Sequence, residues 1–116
     1  MKAAELERRQ AHPQQLEVVL HLDPELSWFR GHFAVQPLLP GVAQIDWVMH
    51  YASVLAPGWR FTSLKNVKFQ SPLLPGATVT LTLEWQEARQ LLTFSYQRHD
   101  GDARYTASSG KISLCR

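Results

Sequence analysis

Two side chains in this sequence have types and a spacing that can move protons: His32 and Asp46, fourteen positions apart (46 − 32 = 14). His32 stands between Gly31 and Phe33, and Asp46 lies inside an apolar stretch opened by Pro40-Gly41. An imidazole exchanges its proton near neutral pH. A carboxylate inside an apolar helix loses hydration and must find partners. Brought near one helix N-terminus, the two make an acid–base site. Each also has a plainer reading, His32 as a structural histidine and Asp46 as a solvated helix residue. His50 follows Asp46 by one helical turn, the spacing of a metal-binding pair. No third ligand has suggestive spacing, so His50 reads as a polar neighbour of Asp46. His12, His21 and His99 read as surface or strand residues.

The elements that must position these groups follow from hydrophobic periodicity. Residues 1–10 read as a short helical lead-in, broken at His12-Pro13. Leu16, Val18, Leu20 and Leu22 alternate with Glu17, Val19 and His21, the pattern of a half-buried strand, which Asp23-Pro24 ends. An irregular aromatic segment with Trp28, Phe29 and Phe33 comes next, its rings serving either the core or a tunnel wall. From Gly41, Val42, Ile45, Met49 and Ala52 keep helical spacing, widened by Val48 and Leu55, until Pro57-Gly58 stops the helix. Pro40 suits the entry to its first turn. Asp46 flanks that stripe between Val42 and His50, and partial burial is expected of it.

The remainder reads as strands. Trp59–Phe69 is mixed and twisted, and ends at SPLLPG. Val79, Leu81, Leu83 and Trp85, then Leu92, Phe94 and Tyr96, alternate with polar residues across a short connection at Gln86–Gln90. Asp100-Gly101 is a second hairpin signal. The last run changes phase between Ala107 and Ile112, and Gly110 is the expected place for a bulge. PLLPG occurs at 37–41 and again at 72–76, with different flanks, which reads as two turns and no repeat. Helix and strands are segregated, so the class is α+β, with one helix wrapped by an antiparallel meander.

With 116 residues, the chain is expected to form one domain over 1–116, residues 1–14 being a lead-in. The polar start is expected to be neither a signal peptide nor an anchor, and no apolar run is long enough to span a bilayer. A net charge of +2 is too mild to point to nucleic acid. The single cysteine, Cys115, has no internal disulfide partner and suits a reducing, cytoplasmic setting as a small apolar strand residue.

The segment GHFAVQPLLPGVAQID resembles the signature of the hotdog-fold 3-hydroxyacyl-acyl-carrier-protein dehydratases. The matching positions are Gly31, His32, Phe33, Pro37, Pro40, Gly41 and the acid Asp46. NVKFQSPLLPGATVTL resembles that family's second landmark, and the likeness extends over about residues 16–114. The small stand-alone dehydratases of aryl-polyene clusters are the most similar branch. Three positions depart from the usual pattern: Ala34 stands for proline, Asp46 for the commoner glutamate, and His50 for glutamine.

The resemblance implies a hotdog fold and dehydration of 3-hydroxyacyl-carrier-protein thioesters to trans-2-enoyl thioesters, with neither a metal nor an organic cofactor. His32 would take the proton from carbon 2. Asp46, or a water it holds, would protonate the hydroxyl leaving carbon 3. Free N–H groups at the Gly41 end of the helix would hold the thioester oxygen as it gains charge, helped by the helix dipole. Phe33, Leu38, Pro40 and His50 would border the substrate. The family arrangement sets His32 of one subunit against Asp46 of the other, which requires a dimer, either of one chain or with a related dehydratase. Arg60, Lys65 and Lys68 could dock the acidic acyl carrier protein, or be a solvated strand face. A hotdog thioesterase and a non-catalytic acyl-carrier binding module are the competing readings.

Overall fold

In a computed structural model of the chain, residues 4–26 and 39–116 are described. Six strands form one antiparallel sheet: β1 (Ala4–His12), β2 (Gln15–His21), β3 (Arg60–Phe69), β4 (Thr78–Gln86), β5 (Leu91–Asp100) and β6 (Ala103–Cys115). Their spatial order is β1-β2-β4-β5-β6-β3. The helix α1 (Gly41–Leu55) lies on the apolar face of this sheet. This is the α+β architecture expected from the hotdog resemblance.

The core follows from alternation. Leu16, Val18 and Leu20 of β2 pair with Leu83, Leu81 and Val79 of β4, all essentially without solvent exposure. β5 adds Leu92, Phe94 and Tyr96, and β6 adds Ile112 and Leu114. Burying each large apolar side chain contributes roughly 1.5–3 kcal/mol. From α1 the buried line is Ala43, Gln44, Trp47, Val48, Tyr51, Ala52 and Leu55. This corrects the expected stripe, because Val42 is 59% exposed while Gln44 and Tyr51 point inward. An apolar-only count missed Gln44, whose side-chain amide bonds the Leu39 carbonyl and Ser108 inside the core, while Tyr51 packs against Arg8 of the outer strand.

Residues 4–12 form a strand, contrary to the helical lead-in expected there. Every residue of β1 is exposed, and hydrogen bonding to β2 holds it in place. Its Arg8 bonds Glu5 at 2.8 Å and lies 5.5 Å from the Tyr51 ring centre, so it packs against Tyr51 of α1. Helix propensity in a charged segment is a weak preference that sheet pairing overrides. The bulge in β6 also falls elsewhere: the register with β5 slips between Tyr96 and Gln97, which leaves Ala107 as the extra residue. Gly110 is needed for a different reason. A Cβ there would sit 2.8 Å from Val67 Cγ2 and 3.1 Å from Phe94 Cε1.

The two PLLPG segments meet at Leu39 and Leu73. The Leu39 N–H donates to the Leu73 carbonyl at 2.8 Å, and both leucines are buried. Gly76, at φ +85°, closes the second turn and donates to the Leu22 carbonyl at 2.7 Å. Among the described residues, no helix is long and apolar enough to cross a membrane.

Candidate active site

Helix α1 starts at Gly41, with Pro40 in extended conformation (φ −66°, ψ 155°) as its N-cap. Proline fixes the entry angle and supplies no side-chain cap, and the first turn holds no acidic residue. The Pro40 carbonyl accepts the N–H groups of Ala43 and Gln44 at 3.1 and 3.2 Å. The N–H groups of Gly41 and Val42 precede the helix ladder, and the positive end of the macrodipole adds to them. A terminus of this kind favours negative charge placed before it.

Two hollows flank Gly41. One, of about 270 Å³, is bordered by Leu39, Gln44, Gln70, Ser71 and Pro72; the other, of about 420 Å³, by Val42, Ile45 and Leu64. Phe69 belongs to both, and its Cζ would be 2.7 Å from a Cβ on Gly41. Glycine is therefore required for close packing against this ring. Two register slips in β3 put the ring there. Phe61 pairs with Leu114, Leu64 with Ile112 and Phe69 with Ser108. Leu64 is an odd number of residues from both Phe61 and Phe69, so a regular strand would set it on the opposite face. The slips at Thr62 and at Asn66-Val67, with Asn66 at φ 51°, turn all three toward α1. The loop after β3 is anchored as well: the N–H groups of Gln70 and Ser71 both donate to the bulged Ala107 carbonyl, at 2.8 and 3.0 Å.

Asp46 is exposed among the described residues, which corrects the partial burial expected of it. It shares one helical line with Val42, His50 and Val54, at four-residue intervals, and this chain's described core covers none of the four. His50 has its ring edge-on to Tyr51 at 4.9 Å. Asp46 is one turn from Val42, about 6 Å along the axis from that residue's amide. Thus Gly41, Pro40, Asp46 and His50 come from one helix and its entry. His32, Phe33 and Leu38 lie outside the described residues.

The cationic residues separate. Lys65 faces Lys111 across the β3–β6 pair and Lys68 faces Ser109, while Arg60 faces Cys115 at the other end of the strand. Leu64 shares the α1 side with buried Ile112, so Lys65 and Lys111 are on the opposite side of the sheet. There, with Asn66, Thr93 and Ser95, Lys68 and Lys111 border a groove of about 590 Å³.

Three residues near the site were not singled out in the sequence: Gln44, Phe69 and Ser108. Phe69 stood inside the second landmark, whose KF pair was its signal. Gln44, a long amide on the buried line of an otherwise apolar helix, was the signal for an internal polar network. The Tyr96 hydroxyl donates to the Gln44 carbonyl at 2.6 Å. Burial first, then Tyr51 and Asp46, pushes the Tyr96 phenol well above its usual range, so it stays a neutral donor.

The comparisons with known proteins agree with this geometry. The ApeI dehydratase family model matches residues 7–111. The dehydratase heterocomplex ApeI:P from Xenorhabdus doucetiae contains a chain 57% identical, with each chain covered over 100% and a TM-score of 0.93. An uncharacterized protein from Erwinia carotovora subsp. atroseptica is 55% identical over 99% of this chain and 97% of its own, with a TM-score of 0.92. The 3-hydroxyacyl-[acyl-carrier-protein] dehydratase FabZ of Novosphingobium aromaticivorans is 31% identical over 66% of this chain and 55% of its own length. The chain thus spans little more than half the length of the curated relatives it matches. A match over nearly all of β1 to β6 and the whole of α1 shows that this chain belongs to the ApeI-like dehydratase family.

Proposed function

We propose that this chain removes water from 3-hydroxyacyl thioesters carried on an acyl carrier protein, giving trans-2-enoyl thioesters in fatty-acid- or polyketide-type synthesis such as that of aryl polyenes. The observation that carries the reading is the family match together with the uncapped helix terminus at Gly41, one turn and a half before the carboxylate of Asp46.

The thioester oxygen sits at the Gly41 terminus. As His32 takes the proton from carbon 2, the electron pair of that C–H bond becomes the new carbon 2–carbon 3 double bond, through an enolate-like state. Charge that builds on the thioester oxygen is held by fixed N–H donors that need no reorganisation. The bond from carbon 3 to oxygen breaks, and a proton delivered from the Asp46 side turns the departing hydroxide into water. A positioned acid or base of this kind contributes roughly 10²–10⁴-fold.

Val42 and Asp46 share their uncovered line with neighbours on β3: Phe61 is 46%, Leu64 46% and Phe69 54% exposed. A second hotdog subunit seated there excludes water from Asp46 and brings its own His32 segment. The solved dehydratase heterocomplex ApeI:P, which contains a relative of this chain, supports a heterodimer as that assembly. The carrier protein approaches with its acidic surface toward Lys65, Lys68 and Lys111, and Arg60 contributes from the far end of β3.

His32→Ala and Asp46→Asn test the site. Each is expected to lower turnover at the site it serves by roughly 10²–10⁴-fold with the assembly intact. Near wild-type turnover in both would overturn the assignment.

A further inference from the structure

A polar network lies inside the core beside the helix terminus, where apolar side chains would serve the fold as well. Gln44, Tyr96 and Ser108 are 3%, 0% and 0% exposed. Ser108 Oγ donates to Gln44 Oε1 at 2.6 Å, and Tyr96 Oη donates to the Gln44 carbonyl at 2.6 Å, an acceptor the helix ladder uses only once. Gln44 Nε2 donates to the Leu39 carbonyl at 3.2 Å, and the Leu39 N–H is held by Leu73. Tyr96 and Ser108 face each other across β5 and β6, directly beside the Ala107 bulge whose carbonyl anchors Gln70 and Ser71.

We propose that Gln44, Tyr96 and Ser108 form a positioning unit that sets the direction of the Gly41 N–H toward the substrate oxygen. The inference rests on the dehydratase reading of the site. The direction of that N–H is fixed by the Pro40–Gly41 peptide plane. The network immobilises this plane from both sides. The Leu39 peptide groups before it are tied by Gln44 and Leu73. The Pro40 carbonyl within it is tied by Ala43 and by the backbone of Gln44. No side-chain cap does this work at the helix entry. Buried, fully satisfied networks rigidify one arrangement, and an apolar replacement often costs no stability. Donors to a developing oxyanion gain most from such fixing, since a displacement of about 1 Å can cost 10²-fold in rate.

The test compares wild type with Tyr96→Phe, Ser108→Ala, Ser108→Thr and the Tyr96→Phe/Ser108→Ala pair. Steady-state kinetics on a 3-hydroxyacyl carrier protein are read together with the ¹⁵N-resolved amide resonance and hydrogen exchange of Gly41. The expected result is a kcat loss of about fivefold or more in each single variant, with KM within about twofold and a shifted, faster-exchanging Gly41 amide. Ser108→Thr retains kcat, and the double variant falls little below the worse single one, because the three residues act as one unit. An unmoved Gly41 amide with unchanged kcat, and only a lower melting temperature, would overturn the proposal and leave the network as core packing. The amide measurement needs no turnover. A wild-type protein that fails to dehydrate therefore counts against the reaction, while the resonance still decides the positioning.

Discussion

At the scale of single residues, Gly41 is where the demands of packing and chemistry coincide. Its missing side chain lets the Phe69 ring lie against the helix start, and its N–H heads the terminus where the thioester oxygen is proposed to sit. Gly41→Ala tests both. The new methyl must displace Phe69, whose ring is half exposed in the single chain, so the fold of the chain is expected to survive. The dehydration rate is expected to fall by roughly ten- to a hundredfold, as the ring and the substrate are pushed from the amide. A large loss of melting temperature with full specific activity would contradict this. Asp46 shows what residue types in a sequence can convey. Its place one turn after Val42 was legible from the helical period, but its surroundings were not, because no described part of this chain covers its line on α1. His32, whose neighbours gave the strongest signal in the sequence, falls outside the described residues.

At the scale of elements, alternation made β2, β4 and β5 legible, and α1 was bounded by Pro40 and by Pro57-Gly58 as expected. What escaped was everything set by strand partners. β1 has no apolar face to announce it, and only its pairing with β2 makes it a strand. The bulges of β3 that aim Phe69 at Gly41 depend on register with β6, and register is a property of two strands. The β6 bulge was expected from its phase change but belongs to Ala107, while Gly110 makes room for Val67. Gly110→Ala is accordingly expected to destabilise the fold by about 1–3 kcal/mol, since the Val67 Cα also lies 3.0 Å from the added carbon. Denaturant unfolding measures this, and an unchanged midpoint would contradict it. A pH effect belongs to the same sheet. The His99 pKa is lowered from 6.5, by burial first and then by Arg104, with Thr80 Oγ1 2.6 Å from its Nε2. The unfolded chain then binds more protons, so this contribution is present above about pH 6.5 and is lost as the pH falls through the lower folded value. His99→Gln is expected to give a melting temperature that declines less steeply below pH 6.5 than wild type; parallel curves would contradict it.

At the scale of the whole molecule, the two sheet edges differ in character. β1 presents Glu5, Glu7, Arg8 and Arg9, charges of the kind that discourage edge pairing. β3 presents Phe61, Leu64 and Phe69 beside Val42 of α1. The apolar edge and the uncovered line of Asp46 share one side of the molecule, so closing that edge with a second subunit also completes the proposed site. If His32 of one subunit serves Asp46 of the other, a mixture of His32→Ala and Asp46→Asn chains in one homodimer regains one intact site per mixed pair. About half of the wild-type rate per mixed dimer is then expected, from two variants that are each nearly inactive. Sites contained within one subunit would show no recovery.

The most direct measurement of the central claim is mass spectrometry of the carrier-bound chain after incubation of the assembled protein with a 3-hydroxyacyl carrier protein. The account predicts loss of one water, with the acyl chain still on its thioester. Release of free carrier thiol with the hydroxyl group retained would contradict it and identify a thioesterase, and an unaltered carrier-bound chain would contradict catalysis of either kind.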